Sequence, residues 1–272
     1  MTVRAQRETS RAAGGTGGWH VSGCSVAGFA HVRDGLPCQD ANRAVSLGGG
    51  RHILAVSDGA GSRRRAAEGA RLATDLAIDV FSAHLGASAG PRSARDWHAF
   101  LDEGYRAVVR EFLKQATRLG DDGDPGHFAA TLIVAVISGP VVGIAAVGDG
   151  FAVVRTEGAA GRRLHLVSVD ESGSDYVNQT TFLTSPEAFA GARYDCILDP
   201  GVTAVLLTTD GLTPLATRRH PSDPLRQLAN PSFLDPVFKH LGPGGDVRQF
   251  LTHQRWSAHS GDDKTVLAAM RT

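Results

Sequence analysis

Residues 52–62 read HILAVSDGAGS, and the order of residue types in that stretch decides how the rest of the chain is arranged around it. Ile53, Leu54, Ala55 and Val56 form a continuous apolar run of strand length that ends abruptly in a turn, with Asp58 at its mouth. Beyond the turn, Ala66, Ala70, Ala73, Ala77 and Val80 recur at helical spacing beside Leu72, Leu76 and Phe81, which predicts a helix over about 64–85. Asp58 and Gly59 therefore sit between a strand and a helix, where a glycine lets another group approach the backbone closely. Asp and Gly are also ordinary turn residues, so one such junction proves little.

The junction recurs. Val205, Leu206 and Leu207 run through Thr208 and Thr209 into Asp210 and Gly211, and Ile144, Ala145, Ala146 and Val147 run through Gly148 into Asp149 and Gly150. A further acidic pair, Asp262 and Asp263, precedes the apolar run 266–269. Aspartates without a partnering His or Cys are hard oxygen ligands, better suited to Mg²⁺ or Mn²⁺ than to Zn²⁺. Buried together they would repel one another, and divalent cations are the natural compensation. Spacing alone does not show that they converge.

Composition narrows the field. Lys plus Arg and Asp plus Glu each number 28, so the formal charge is zero and the electrostatic footprint of a nucleic-acid binder is missing. Cys24, Cys38 and Cys196 are odd in number and scattered, which supports neither a disulfide framework nor a zinc ribbon and fits a reducing cytoplasm. No apolar run approaches the roughly 18 residues of a membrane span. Residues 1–18 carry Arg4, Arg7 and Arg11 without an apolar segment, and read as a disordered leader that is either solvated or docks on something acidic. With no linker between two self-contained patterns, 19–272 reads as a single domain.

In chain order, 20–27 reads as a strand and 28–40 as a polar loop. A weaker strand through Val45 and Leu47 joins the Asp58 strand across Gly48, Gly49 and Gly50 as a hairpin, which puts Asp40 and Asp58 on neighbouring strands. A second amphipathic helix carries Trp97, Leu101, Tyr105, Val108 and Phe112 on one face. The acidic run 120–126 lacks an EF-hand's ligand pattern and reads as a solvated turn. Strands follow over 128–137, 141–149, 151–156 and 164–169, and their short connections argue for antiparallel pairing. The polar stretch 170–193 has the length of a functional flap. Strands at 196–198 and 203–209, helical regions at 223–240 and 246–257, and a last strand at 265–269 complete the chain. Strands segregated from helix pairs argue for an α+β layered architecture and against alternating βαβ units.

Six short motifs then occur in one order: PCQDA at 37–41, AVSDGAGS at 55–62, AATL at 129–132, AAVGDG at 145–150, LLTTDGL at 206–212 and GDDKTVL at 261–267. In that order the chain resembles the bacterial branch of the PP2C (PPM) metal-dependent serine/threonine phosphatases, from about Val21 to Met270. The resemblance implies a four-layer αββα sandwich, two antiparallel sheets packed face to face and flanked by helix pairs, with a metal site at one end. It implies two Mn²⁺ or Mg²⁺ ions held by Asp58, the Gly59 carbonyl, Asp210 and Asp262, with Asp58 bridging and Asp40 acting directly or through water. Asp149 matches a position that reaches a third metal in some members, and otherwise caps a turn. The implied chemistry is hydrolysis of phosphoserine and phosphothreonine by in-line attack of a hydroxide held between the ions, with Asp58, Asp210 and Asp262 acting through that water. The implied partner is a phosphorylated protein, a serine/threonine kinase or its target, met by a monomer without nucleic acid or membrane.

The departures from the family pattern matter as much. Gly35 stands where members often carry a phosphate-binding Arg, and Gln39 where they carry a Glu. Arg33 or His31 in the same loop could take over the phosphate, or only stabilise the turn. Ala60 replaces the His that eukaryotic members propose as general acid; bacterial members commonly lack it, leaving protonation to water. Asp263 takes the place of an Asn, where its charge either strengthens metal binding or faces solvent. Arg63, Arg64 and Arg65 open the first helix against its dipole, as a solvated basic turn or with Arg63 on substrate phosphate. These departures keep a second expectation open, a catalytically weak PP2C-like interaction module in a regulatory or stress-response assembly. Other catalytic classes lack their signatures: there is no GxxxxGK[ST], GxSxG, HExxH or CxxC spacing.

Overall fold

The computed structural model describes residues 18–87, 90–159, 161–167, 180–256 and 259–272. Its first half runs Trp19–Val26 (β1), Phe29–Asp34 (α1), Ala41–Gly48 (β2), Arg51–Ser57 (β3), Ala66–Ala87 (α2), Ala94–Leu119 (α3), Leu132–Ser138 (β4) and Val141–Val147 (β5). The second half runs Phe151–Gly158 (β6), Gly161–Val167 (β7), Arg193–Leu198 (β8), Val202–Thr208 (β9), Thr213–Ala216 (α4), Thr217–His220 (β10), Asp223–Ala229 (β11), Pro231–Leu241 (α5), Val247–Leu251 (α6) and Lys264–Arg271 (β12).

Two five-stranded antiparallel sheets, ordered β2-β3-β4-β5-β8 and β1-β12-β9-β6-β7, pack face to face. Leu54, Val56, Ile133 and Ile144 of the first meet Val154, Val205, Leu207 and Leu267 of the second. On the outer face of the first sheet, Phe81, Leu101, Tyr105 and Phe112 of α2 and α3 cover Ile53, Val134 and Ala145. On the outer face of the second, Phe233, Val237 and Phe250 of α5 and α6 cover Val153, Leu206 and Ala268. A strand held between a helix layer and another sheet has no solvated face, so β3 and β4 are continuously apolar instead of alternating. The architecture is the expected α+β sandwich of four layers.

Local features explain the close packing. Ala66, Ala70, Ala73 and Ala77 are at most 1% exposed and let α2 lie flat on the sheet. Gly69 faces the Phe128 carbonyl so closely that a Cβ there would lie 2.0 Å from its oxygen. α3 opens on a capping box, with the Ser93 hydroxyl accepting from the Asp96 amide and the Asp96 carboxylate accepting from the Ser93 amide. Gly48, Gly49 and Gly50 all have positive φ, 78°, 59° and 72°, which no other residue adopts as readily in succession, and so close the β2–β3 hairpin.

Some stretches differ from the sequence expectation. The loop 28–40 contains the short helix α1, which leaves Phe29 and Val32 exposed and so shows no apolar face to read. The region 223–240 is not helical throughout: β10 and β11 form a two-stranded ribbon, and α5 begins only at Pro231, where the fixed φ of proline suits a first turn. At 246–257, α6 is one short helix followed by a 3₁₀ turn at Gln254–Trp256. β5 and β6 do not pair despite the short connection at 148–150, because the chain crosses there from one sheet to the other through Gly148, at φ +101°. Residues 1–17 of the expected leader, the end of the expected strand at 168–169 and residues 170–179 of the expected flap lie outside the described residues. The rest of that stretch is anchored: Leu183 and Ala188 are buried in the α2–α3 core, and the Tyr105 hydroxyl donates to the Ala188 carbonyl at 2.7 Å.

Candidate active site

The three Asp-Gly junctions follow β3, β5 and β9, so they draw on both sheets. They meet at one end of the sandwich, where carboxylate oxygens of Asp58, Asp149 and Asp210 all lie within 4.8 Å of one another. The glycine after each aspartate is required by space. A Cβ would lie 2.4 Å from the Ala66 carbonyl oxygen at Gly59, 2.7 Å from that of Thr208 at Gly150, and 1.8 Å from that of Asp263 at Gly211. Each junction is thus wedged against a neighbouring backbone, which fixes the direction of its aspartate.

Asp40 joins the cluster from the start of β2. Ala41 pairs with Ser57, so Asp40 stands opposite Asp58 just past the end of the hairpin ladder. It is 8% exposed, and its Oδ2 accepts from the hydroxyls of Thr209 and Thr265, each at 2.8 Å. Thr265 Oγ1 also lies 2.7 Å from Ser25 Oγ, which accepts from Asn42 Nδ2 at 2.9 Å. The Asp58 turn is held from the other side by the AATL run. The Thr131 amide donates to the Asp58 carbonyl at 2.8 Å, the Asp58 amide to Thr131 Oγ1 at 3.0 Å, and the Ala60 amide to the Ala129 carbonyl at 2.9 Å.

Crowding carboxylates away from water holds protons on them. Burial raises the Asp58 carboxyl far above the ordinary carboxylate range, with the charges of Asp40 and Asp210 adding to it. Burial also raises Asp40, against the opposing hydrogen bonds from Thr209 and Thr265. Asp210 is pushed up to about 7 by burial and then by the charges of Asp149 and Asp262. Asp149 offers one oxygen to the Thr180 hydroxyl at 2.7 Å, while its other oxygen is buried without a hydrogen-bond partner among the described residues. An oxygen-only cluster with an orphaned buried acceptor and proton-laden neighbours fits a hard divalent cation.

The remaining residues singled out in the sequence fall into place less uniformly. Gly59 is buried, and its amide donates to the Gln39 carbonyl at 3.2 Å. Asp262 is exposed on the turn before β12, where its Oδ1 accepts from the Asp263 amide at 2.8 Å; its charge reaches Asp58 and Asp210, but it is not one of the three convergent carboxylates. Asp263 does not face solvent; it is 2% exposed. The His31 ring donates to Asp263 at 2.8 Å, and the Arg33 guanidinium forks onto neighbouring Asp34 at 2.7 and 2.9 Å. Arg63 lies exposed in the turn before α2, with no ion pair among the described residues. Arg65 is tied to Glu68 and the Leu119 carbonyl and covers the Phe128 ring at 4.2 Å. Thr131, Thr180, Thr209 and Thr265 hold the aspartates without any sequence signal of that role, although three of them stand inside the AATL, TTDG and DDKT strings.

Comparison with known proteins places the chain in a family. The sequence profile of the protein phosphatase 2C family matches residues 27–253, a span that contains Asp40, Asp58, Asp149 and Asp210 and ends before Asp262. Serine/threonine-protein phosphatase 3 of Escherichia coli K12 is 27% identical over 268 residues, covering 93% of this chain and 98% of that protein. The serine/threonine phosphatase Stp1 of Staphylococcus aureus superposes with a TM-score of 0.63 at 16% identity, over 93% of this chain and 94% of that one. The serine/threonine phosphatase of S. agalactiae gives a TM-score of 0.62 at 14% identity, over 93% and 100%.

Proposed function

The chain belongs to the protein phosphatase 2C family, and on that premise we propose that it hydrolyses phosphoserine and phosphothreonine in proteins with the help of Mn²⁺ or Mg²⁺. The observation that carries the proposal is the convergence of Asp58, Asp149 and Asp210 from two sheets, with Asp40 beside them. A carboxylate cluster that retains protons for want of positive charge would be an expensive arrangement in a protein that only bound partners. That observation speaks for turnover and against the interaction module.

In this proposal Asp58 and Asp210, with Asp40, Asp262 and the Gly59 carbonyl, would hold two divalent ions, and Asp149, which converges with Asp58 and Asp210, would hold one of these or a third. Bound ions of this kind neutralise charge on phosphoryl oxygens and make water a better nucleophile near neutral pH. The protein's part is orientation. Thr209 and Thr265 fix one oxygen of Asp40, Thr180 fixes one oxygen of Asp149, and each leaves the second oxygen for the centre. The Thr131 bridge keeps the Asp58 turn from relaxing as charge builds. Arg63 is the remaining cation of the sequence candidates and would meet the phosphate or the peptide around it. Ala60 carries no proton to donate, so the seryl or threonyl oxygen is protonated by water as it leaves.

The physiological substrate is then a phosphorylated protein, a serine/threonine kinase or one of its targets. Phosphate release from a phosphothreonine peptide, compared in Mn²⁺ and in EDTA, tests the proposal. Release confined to the metal-containing sample supports it; equal release in both, or none in folded protein that has taken up Mn²⁺, refutes it.

A further inference from the structure

The carboxylate of Asp263 is buried beside the candidate site without belonging to the convergent cluster. Its Oδ1 accepts from the Gly28 amide at 2.7 Å and from the His31 ring at 2.8 Å, and its Oδ2 accepts from the Gln39 amide at 2.6 Å. Each partner adjoins something the site needs. Gln39 precedes Asp40, and Gly28 lies flush on the Asp262 turn, where a Cβ would fall 2.2 Å from the Asp262 carbonyl carbon. The Asp263 main-chain carbonyl is also the atom against which Gly211, next to Asp210, is wedged. One residue thus ties down the chain neighbours of Asp40, Asp210 and Asp262.

The geometry points to Asp263 as a positioning residue of the metal centre, with its carboxylate and the His31 ring forming a matched pair that holds the segment before Asp40 against the turn carrying Asp262. This inference rests on the metal-dependent reading proposed above. The pairing accounts for an Asp where the family usually has Asn. Two backbone amides and a ring N–H approach from both oxygens, and a carboxylate accepts all three. An amide turned one way would set its NH₂ against the Gly28 N–H, and turned the other way against the Gln39 N–H. Either orientation leaves a buried donor without an acceptor. His31 therefore acts from α1 as the third donor to Asp263, not as a substrate ligand.

The test is Mn²⁺ binding by isothermal titration calorimetry to EDTA-stripped and desalted protein, for the wild type and for Asp263→Asn, Asp263→Glu and His31→Ala. Metal-free melting temperatures and kcat and KM across Mn²⁺ concentrations complete the comparison. Asp263→Asn removes the charge and keeps the size, whereas Asp263→Glu keeps the charge and moves it. Both are expected to weaken Mn²⁺ binding about tenfold or more, the usual effect of removing a group that orients a metal ligand. His31→Ala should shift it in the same direction by less. The loss in kcat/KM should be largely recovered at saturating Mn²⁺, which a general loss of structure would not allow. Wild-type affinity in Asp263→Glu would show that only charge matters and overturn the inference. Wild-type affinity in both Asp263→Asn and His31→Ala would also overturn it. Should the Asp263 variants fail to fold, His31→Ala decides alone, since that ring is partly exposed and is no candidate ligand. Wild-type protein that takes up no Mn²⁺ would refute the metal reading itself, and the inference with it.

Discussion

Asp40 and Asp58 extend the β2–β3 hairpin just past its last pair, Ala41 and Ser57, so that two carboxyl groups stand at the ends of neighbouring strands, where burial first and then their mutual charge favour the protonated form of Asp58. Their crowding has a consequence for stability in the absence of metal. Folded-state values of Asp40, Asp58 and Asp210 all lie above the ordinary Asp value of about 3.9. Between that value and the raised ones, the folded chain binds more protons than the unfolded chain, so stability falls as pH rises. Asp210 places this decline between about pH 4 and 7. EDTA-treated protein should therefore melt at a higher temperature at pH 5.5 than at pH 8. Mn²⁺ should raise the melting temperature more at pH 8, where fewer protons must leave. Asp58→Asn should flatten the metal-free dependence; an unaltered slope in that variant would contradict the origin assigned to it.

Gly211 is predicted to tolerate no side chain. Its missing Cβ would lie 1.8 Å from the Asp263 carbonyl oxygen, a backbone atom that cannot swing aside. Gly211→Ala should cost about 1–3 kcal/mol of stability, as overpacking does, and should displace Asp210. A urea titration with Mn²⁺ binding on the same sample checks both effects, and a fully stable variant with wild-type metal affinity would show the contact to be absent.

Arg63 and Arg65, two residues apart, should behave differently. Arg65 is held by Glu68, the Leu119 carbonyl and the Phe128 ring, so Arg65→Ala should lower the melting temperature and leave KM nearly untouched. Arg63 is exposed and free of ion pairs among the described residues, so Arg63→Ala should leave the melting temperature alone. It should raise KM for a phosphothreonine peptide about tenfold, the scale of one charge-assisted hydrogen bond lost. An unchanged KM would remove Arg63 from the substrate's path.

The main strands and long helices were legible in the sequence from their apolar pattern, while the four-layer sandwich that joins them was implied by the family resemblance. Runs such as 53–56 and 132–137 have strand length and end in turn residues, and the spacing of Ala66, Ala70, Ala73 and Ala77 is that of a helix. α1 and the β10–β11 ribbon were not legible, because each is short, largely exposed and shows no period to read. The Asp-Gly junctions announced candidate ligands, but their convergence depends on the chain crossing between sheets at Gly148, and a connection of that length ordinarily suggests a hairpin. The threonines that hold Asp40 lie in the quoted motifs, yet a hydroxyl next to an aspartate carries no signal of its direction. The sequence leaves His31 and Arg33 open between a phosphate and the turn; their partners, Asp263 and Asp34, are set by tertiary contact in one case and by a chain neighbour in the other, and the first has no local signal.

The most direct test is turnover of a phosphothreonine peptide by the wild type and by Asp210→Ala, both shown by circular dichroism to be folded and both assayed in excess Mn²⁺. Asp210 is one of the three convergent carboxylates and lies outside every hydrophobic cluster that stabilises the sandwich. The proposed chemistry requires phosphate release by the wild type and a loss of at least a thousandfold in the variant, about 4 kcal/mol of transition-state stabilisation. Wild-type turnover that survives the substitution would place the reaction elsewhere in the molecule.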